Sequence, residues 1–240
     1  MVTNPLVLMQ EWARRLRELE DHSYGGLHER YKLHKRGRLG AIDPVALMPT
    51  SYSTELQYES WLLQWLDPSV VSFDWSMQLW ECVDQGQRRS FKPHLVVHRQ
   101  SGVELQTVCH HEGELESGER YSYARVAKAH GATFVLRTRD FIRSRPRQLS
   151  HLKRLRQRAT MLHDLPLLAT QARLMELLSG KAWRIQELRT TVGHPLDNYE
   201  IDAALVHLCR AGLVSLDLTE HHYGEITVNA HAHRPRLPVR

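Results

Sequence analysis

Ser90-Phe-Lys-Pro-His94-Leu-Val-Val-His98, the turn Gln100-Ser-Gly102 and Val103-Glu-Leu-Gln-Thr-Val-Cys109 decide the fold of this chain. Both flanks are rich in β-branched and apolar residues, and the polar triplet between them ends in glycine. The stretch therefore predicts a β-hairpin of strands Ser90 to His98 and Val103 to Cys109. With the turn centred on Gln100-Ser101, His94 falls opposite Thr107 on one face. A slip of one residue would bring Gln106 and Val108 forward instead, because side chains alternate along a strand.

Working outward, Val70 to Phe73 and Gln78 to Val83 read as two more strands, the second ending at the turn Asp84-Gln-Gly86. Before them a helix starts near Ser53, carries Leu56, Trp61, Leu62, Leu63, Trp65 and Leu66, and stops at Asp67-Pro68. After the hairpin, Arg120 to His130 predicts a helix closed by Gly131, and Thr133 to Leu136 an apolar strand. Helix, four strands, helix and strand make an α/β core, a mixed sheet flanked by helices.

The C-terminal part has a helical rhythm. Leu174, Leu177 and Leu178 mark one short helix, Ile185, Leu188 and Val192 a second, and Ile201, Ala204, Leu205, Leu208 and Cys209 a third, capped by Asp197 or Asn198. A hairpin of Val214 to Leu218 and Glu225 to Val228 follows. Three short helices and a hairpin are the pattern of a winged-helix domain. At the other end, Leu8, Trp12, Leu16 and Leu19 place an amphipathic helix over Leu6 to Asp21. The expected domains are thus residues 1–50, a helix and basic loop; 51–160, the α/β core; 165–230, the winged helix; and 231–240, a disordered tail.

At 240 residues the chain is long enough for two domains. It has no apolar run of about 18 residues and no signal-peptide pattern, so a cytoplasmic protein without a membrane partner is expected. Three cysteines without paired spacing argue against a disulfide framework or a zinc knuckle. His94, Cys109, His110 and His111 could converge at one hairpin end. Zinc, however, takes spaced ligands in tetrahedral geometry, so a polar strand end is expected and no metal site.

The formal charge of +5 is concentrated in Arg137, Arg139, Arg143, Arg145, Arg147, Lys153, Arg154, Arg156 and Arg158. Such a ribbon suits an anionic polymer, since each phosphate paired with arginine releases a condensed counterion. A solvated helix face is the plain alternative. In the third C-terminal helix, Asp197, Glu200 and Asp202 form an acidic start that would repel phosphate, so docking to protein is as natural there as base readout.

Tyr52-Ser-Thr-Glu-Leu-Gln57, Asp67-Pro-Ser-Val-Val71, Ser90-Phe-Lys-Pro-His94-Leu-Val-Val97, and Gly131 to Ile142 followed by Leu149-Ser-His-Leu152 keep one order and spacing. In these the chain resembles the TnsA-type endonucleases, which cut at transposon ends and have a restriction-endonuclease-like fold. The likeness covers most of the chain and extends to a winged helix after the nuclease fold. It implies a bacterial, nucleoid-associated subunit of a heteromeric transposition complex. The partners it implies are double-stranded DNA, a DDE-type transposase and an AAA+ regulator.

Active members hold a divalent ion with a helix glutamate, a strand aspartate and a second acid or glutamine, and they add a lysine. Against that pattern, Gln57 stands for the glutamate, His94 for the aspartate, and Cys109 or Val108, in the segment of Thr107, for the lysine. Gln106 can match the tolerated glutamine. Magnesium prefers anionic oxygen ligands, so these residues predict a degenerate nuclease with no cofactor. Glu55 or Glu59 with Glu104 could instead restore a magnesium-dependent site, and a winged-helix DNA-binding regulator is the third reading.

Overall fold

A computed structural model of the chain describes residues 39–231 except 44, 47, 76, 77 and 193–197. The helix expected over Leu6 to Asp21, the basic loop after it, the Asp197 cap and the tail beyond His231 lie outside the described residues. Two compact units are present: one takes the described residues up to Thr50 and from Ser150 onward, the other Ser51–Leu149. The division falls inside a helix, earlier than the expected boundary near residue 160. Strands β1 (Leu39–Asp43) and β2 (Met48–Tyr52) pair with each other, and the boundary between Thr50 and Ser51 falls within β2.

That unit is built on a four-stranded mixed sheet. Strands β3 (Val70–Asp74), β6 (Leu95–Arg99), β7 (Gly102–Cys109) and β8 (Ala132–Thr138) lie in that order. The first three neighbours pair antiparallel and β7 with β8 parallel. The β6–β7 hairpin has the expected register, Leu95 against Gln106 and Val97 against Glu104.

The strand expected over Ser90 to His98 is two strands. Proline has no N–H and interrupts a ladder, so the chain breaks at Lys92-Pro93-His94. Before the break, β5 (Gln87–Phe91) pairs with β4 (Trp80–Asp84) as a separate two-stranded ribbon. The tight turn between them has Gln85 and Gly86 at positive φ, where glycine meets no Cβ penalty.

Helices cover both faces of the sheet. Helix α1 (Glu55–Trp65) starts at Thr54, whose hydroxyl accepts from the Gln57 N–H at 3.2 Å. Its Trp61 and Trp65 are fully buried, in a cluster with Tyr52, Phe73 and Trp75. Helix α2 (Ser117–Ala129) begins three residues earlier than expected, because Glu116 and Glu119 form a capping box. Its Val126 and Ala127 pack with Phe91, Val96 and Leu105. Leu105 thus faces α2, and its neighbours Glu104 and Gln106 face α1 by strand alternation. Beyond β8 come a short helix α3 (Arg139–Arg143), capped by Thr138, and α4 (Pro146–Met161), which crosses the division between units.

The second unit contains α5 (Leu168–Leu178), β9 (Trp183–Arg184), α6 (Ile185–Val192), α7 (Asn198–Arg210), β10 (Val214–Leu216) and β11 (Thr227–Ala230). Strand β11 lies between β10 and β9, antiparallel to both. Leu174, Ile185, Leu188, Ile201, Leu205 and Val228 are all 1 % exposed or less, each worth about 1.5–3 kcal/mol of burial. The first strand of the hairpin starts at Val214 as expected, but the second begins two residues later than the sequence suggests. Tyr223, 7 % exposed, sits in a 3-10 turn and donates its hydroxyl to Asp202 at 2.7 Å, which draws the connecting loop inward.

His207 on α7 is half-buried, yet both its ring nitrogens are shielded from solvent and lack a hydrogen-bond partner among the described residues. Burial pushes its pKa from 6.5 down to about 4, opposed in part by Asp43. The neutral ring is the folded form, and the unfolded chain binds a proton first as pH falls. Urea unfolding should therefore show stability declining from about pH 6.5 to pH 4, by on the order of 3 kcal/mol at most. A His207→Leu variant should lose this slope. An unchanged slope would assign the acid sensitivity to other groups.

Candidate functional site

The α1 face of the sheet holds a buried polar network where α1 ends and the β6–β7 hairpin passes beneath it. Gln64, on the last turn of α1, and Gln106, on β7, exchange amide hydrogen bonds of 3.0 and 2.7 Å. Gln64 Nε2 also donates to the Ser60 carbonyl at 3.0 Å, and Gln106 Nε2 to Glu104 at 2.6 Å. Arg99, at the end of β6, binds the whole group together. Its Nη1 donates to Asp67 at 2.8 Å and to the Ser69 hydroxyl at 2.6 Å, its Nη2 to Gln64 at 2.9 Å, and its Nε to Glu104 at 2.7 Å.

Asp67 has a second task in the turn after α1. Its other oxygen accepts from the Ser69 N–H and hydroxyl, both at 2.8 Å. Burial alone would raise its pKa, but the Ser69 N–H, the Arg99 guanidinium and the Ser69 hydroxyl outweigh it and hold the carboxyl below its ordinary value. Nothing in the sequence pattern singles out Gln64 and Arg99. Arg99 follows an apolar run and Gln64 an amphipathic stretch, so each reads as a surface residue until hairpin and helix are brought together.

Beside this network is a cavity of about 70 Å³ lined by Ser60, Leu63, Gln64, Asp67, Arg99, Arg137, Phe141, Ile142 and Arg145. The guanidiniums of Arg137 and Arg145 both lie over the Phe141 ring, 5.0 and 5.1 Å from its centre. Burial lowers the pKa of Arg137, Glu104 opposes the shift, and the neighbouring Arg99 and Arg145 reinforce it.

The residues matched by sequence to a nuclease centre are placed differently. Gln57 accepts from the Ser53 N–H at 2.8 Å and helps cap α1. His94 bridges the break at Pro93: its N–H donates to the Gln106 carbonyl at 2.8 Å, and its Nδ1 accepts from the Val108 N–H at 3.0 Å. Burial lowers its pKa, with Glu114 opposing, so the ring is neutral and serves the backbone. Thr107 and Cys109 are buried on the α2 side, and burial together with Glu114 raises the Cys109 thiol. His110 and His111 are exposed.

Of the candidate substitute acids, Glu55 is exposed, whereas Glu59 is buried. It is 5 % exposed and accepts from Arg143 Nε at 3.1 Å. Glu59, Glu104 and Asp67 are each matched to an arginine. Among the described residues no three histidine, cysteine, aspartate or glutamate side chains are grouped to hold a metal. This donor set does not fit magnesium, because Arg99 occupies the position between the carboxylates that a cation would take.

The basic residues do not form one ribbon. Arg158 is buried and bound to Asp202, which Arg189 also holds at 2.7 and 2.8 Å. Asp202 is fully buried, so it is no part of an acidic surface. Arg143 serves Glu59, and Arg137 lies mainly inside, 3.8 Å from Glu104. Lys153 and Arg156 are half-buried, and Arg139, Arg145, Arg147 and Arg154 are exposed. Arg154 lies over the Tyr223 ring, 4.3 Å from its centre. No helix among the described residues is long and apolar enough to cross a membrane. No family model and no curated protein matches this chain.

Replacing Arg99 by alanine strips the counter-charge from Asp67 and Glu104 and a donor from Gln64. Denaturant unfolding at neutral pH should show a loss on the order of 3 kcal/mol, since breaking a largely buried pair leaves a carboxylate behind. The depressed Asp67 pKa adds a sign: its stabilisation is full above the ordinary value of 3.8 and lost as pH falls below it. The gap between wild type and R99A should shrink there. A loss well under 1 kcal/mol would show that the network is not a structural centre.

Proposed function

We propose that this chain is a DNA-associated subunit on a nuclease-like scaffold that has lost its metal chemistry, as expected of a degenerate TnsA-type protein. It would act in a heteromeric transposition complex, contacting double-stranded DNA, a DDE-type transposase and an AAA+ regulator. One observation carries the loss of chemistry: Arg99 lies between Asp67 and Glu104 on the face where the scaffold would gather carboxylates. A cationic side chain there repels a divalent ion and uses up the acids that would bind it.

The winged-helix reading of the second unit is supported by its element order: helix, short strand, two helices and a hairpin whose second strand pairs back to the first strand. The exposed arginines Arg139, Arg147 and Arg154 favour an anionic polymer as partner. Burial of Asp202 removes one of the negative charges that argued against phosphate near α7.

Duplex binding by the full chain should weaken steeply with salt. Changing Arg139, Arg147 and Arg154 together to glutamine should lower the slope of log K against log salt by up to about 3. An unaltered slope would remove these arginines from the interface. In a plasmid-nicking assay with magnesium or manganese, the chain should produce no cleavage. Nicking that disappears in Glu59→Ala or Glu104→Ala would overturn the degenerate reading.

A further inference from the structure

The cavity between α1, β8 and α3 has a chemistry that the network beside it does not use. Two of its lining residues carry a buried polar atom without a hydrogen-bond partner among the described residues: the Ser60 hydroxyl, on a residue 3 % exposed, and Arg137 Nε. Orphaned buried donors are rare in folded proteins, and two on one cavity point to a ligand that accepts hydrogen bonds. Charge points the same way. Among the described residues that line the cavity or pair with its arginines, Arg99, Arg137 and Arg145 stand against the carboxylates Asp67 and Glu104, one positive charge in excess.

The donors of Arg99 are engaged by Asp67, Ser69, Gln64 and Glu104, so it contributes charge rather than contacts. Arg145 is exposed at the cavity and has no ion-pair partner among the described residues. Phe141 holds Arg137 and Arg145 on its ring, which fixes two long side chains that would otherwise lose rotamer freedom on binding. The space, about 70 Å³, is several times the roughly 10–15 Å³ that one water requires. It suits a compact polyatomic anion.

We infer that this cavity is a binding site for a phosphate group, with the exposed Arg145 guanidinium as its first donor and the Ser60 hydroxyl and Arg137 Nε joining when their side chains turn toward the oxyanion. The tetrahedral oxyanion would satisfy both orphaned donors at once and balance the excess charge. This assignment stands apart from DNA binding through Arg139, Arg147 and Arg154. The phosphate is either the terminal group of a nucleic-acid strand or a free phosphate.

The test is a titration of the full chain with inorganic phosphate at ionic strength held constant with chloride, followed by the arginine Nε–H signals in NMR spectra. Saturable shifts are expected in the wild type. R145Q should weaken binding roughly tenfold, the worth of a charge-assisted hydrogen bond, and S60A by about two- to fivefold. R184Q, at an exposed arginine outside the proposed contacts, should leave it unchanged. Because Arg145 is exposed, R145Q removes a ligand contact without disturbing the core.

Absence of saturable shifts, or equal affinity in R145Q and wild type, overturns the site. So does an equal loss in R184Q, which would mark diffuse attraction to basic surface. Comparing duplexes with 5′-phosphate and 5′-hydroxyl ends identifies the source. Tighter binding of the phosphorylated ends, abolished in R145Q, assigns a strand terminus; equal binding with phosphate titration intact assigns a free phosphate. Loss of all duplex binding with phosphate titration intact would sink the proposed function and leave this site standing.

Discussion

Arg99 is the point at which helix, turn and hairpin of the first unit become one object. Its guanidinium donates to the exit turn of α1 through Asp67 and Ser69, to the helix itself through Gln64, and across the hairpin through Glu104. A planar group with five donors in a fixed fork can do this, whereas a lysine cannot reach so many acceptors in one geometry. The contact also makes the β6–β7 register consequential. A shift of one residue would turn Gln106 and Glu104 to the α2 face and bury two polar groups against Phe91 and Val126.

The same contact separates scaffold from chemistry. A mixed sheet with helices on both faces leaves the polar groups on one face free to form a self-satisfied network, because the core needs only shape and satisfied polar atoms. Here Gln64, Gln106, Arg99, Asp67 and Glu104 satisfy one another. Polar groups in such a network are held in one arrangement by low dielectric and mutual hydrogen bonding. The adjoining cavity differs in that its donors exceed its acceptors, and this asymmetry sets it apart from the network.

A related economy of charge operates in the second unit. Asp202, fully buried, is surrounded by Arg158, Arg189 and the Tyr223 hydroxyl. Arg154, Arg158 and Arg189 all lie over the Tyr223 ring. Arginines that look interchangeable along the chain thus fall into two groups. Some are internal counter-ions whose removal would leave a carboxylate without compensation, and others are exposed and able to meet a partner. Net charge alone overstates how much of a basic sequence faces outward.

Periodicity and turn chemistry determined the local elements. Alternating apolar residues around Gln100-Ser-Gly102 placed the hairpin and its register, the stripe through Leu56, Leu62 and Trp65 placed α1, and Gly131, at positive φ, marked the turn after α2. These features depend on neighbours within a few residues. Tertiary structure alone decided that Glu59 and Asp202 lie inside and that Gln64 meets Gln106. Each of those outcomes depends on a partner far along the chain, and whether a charge is buried is decided by the three-dimensional packing that supplies its counter-charge, not by the residues beside it.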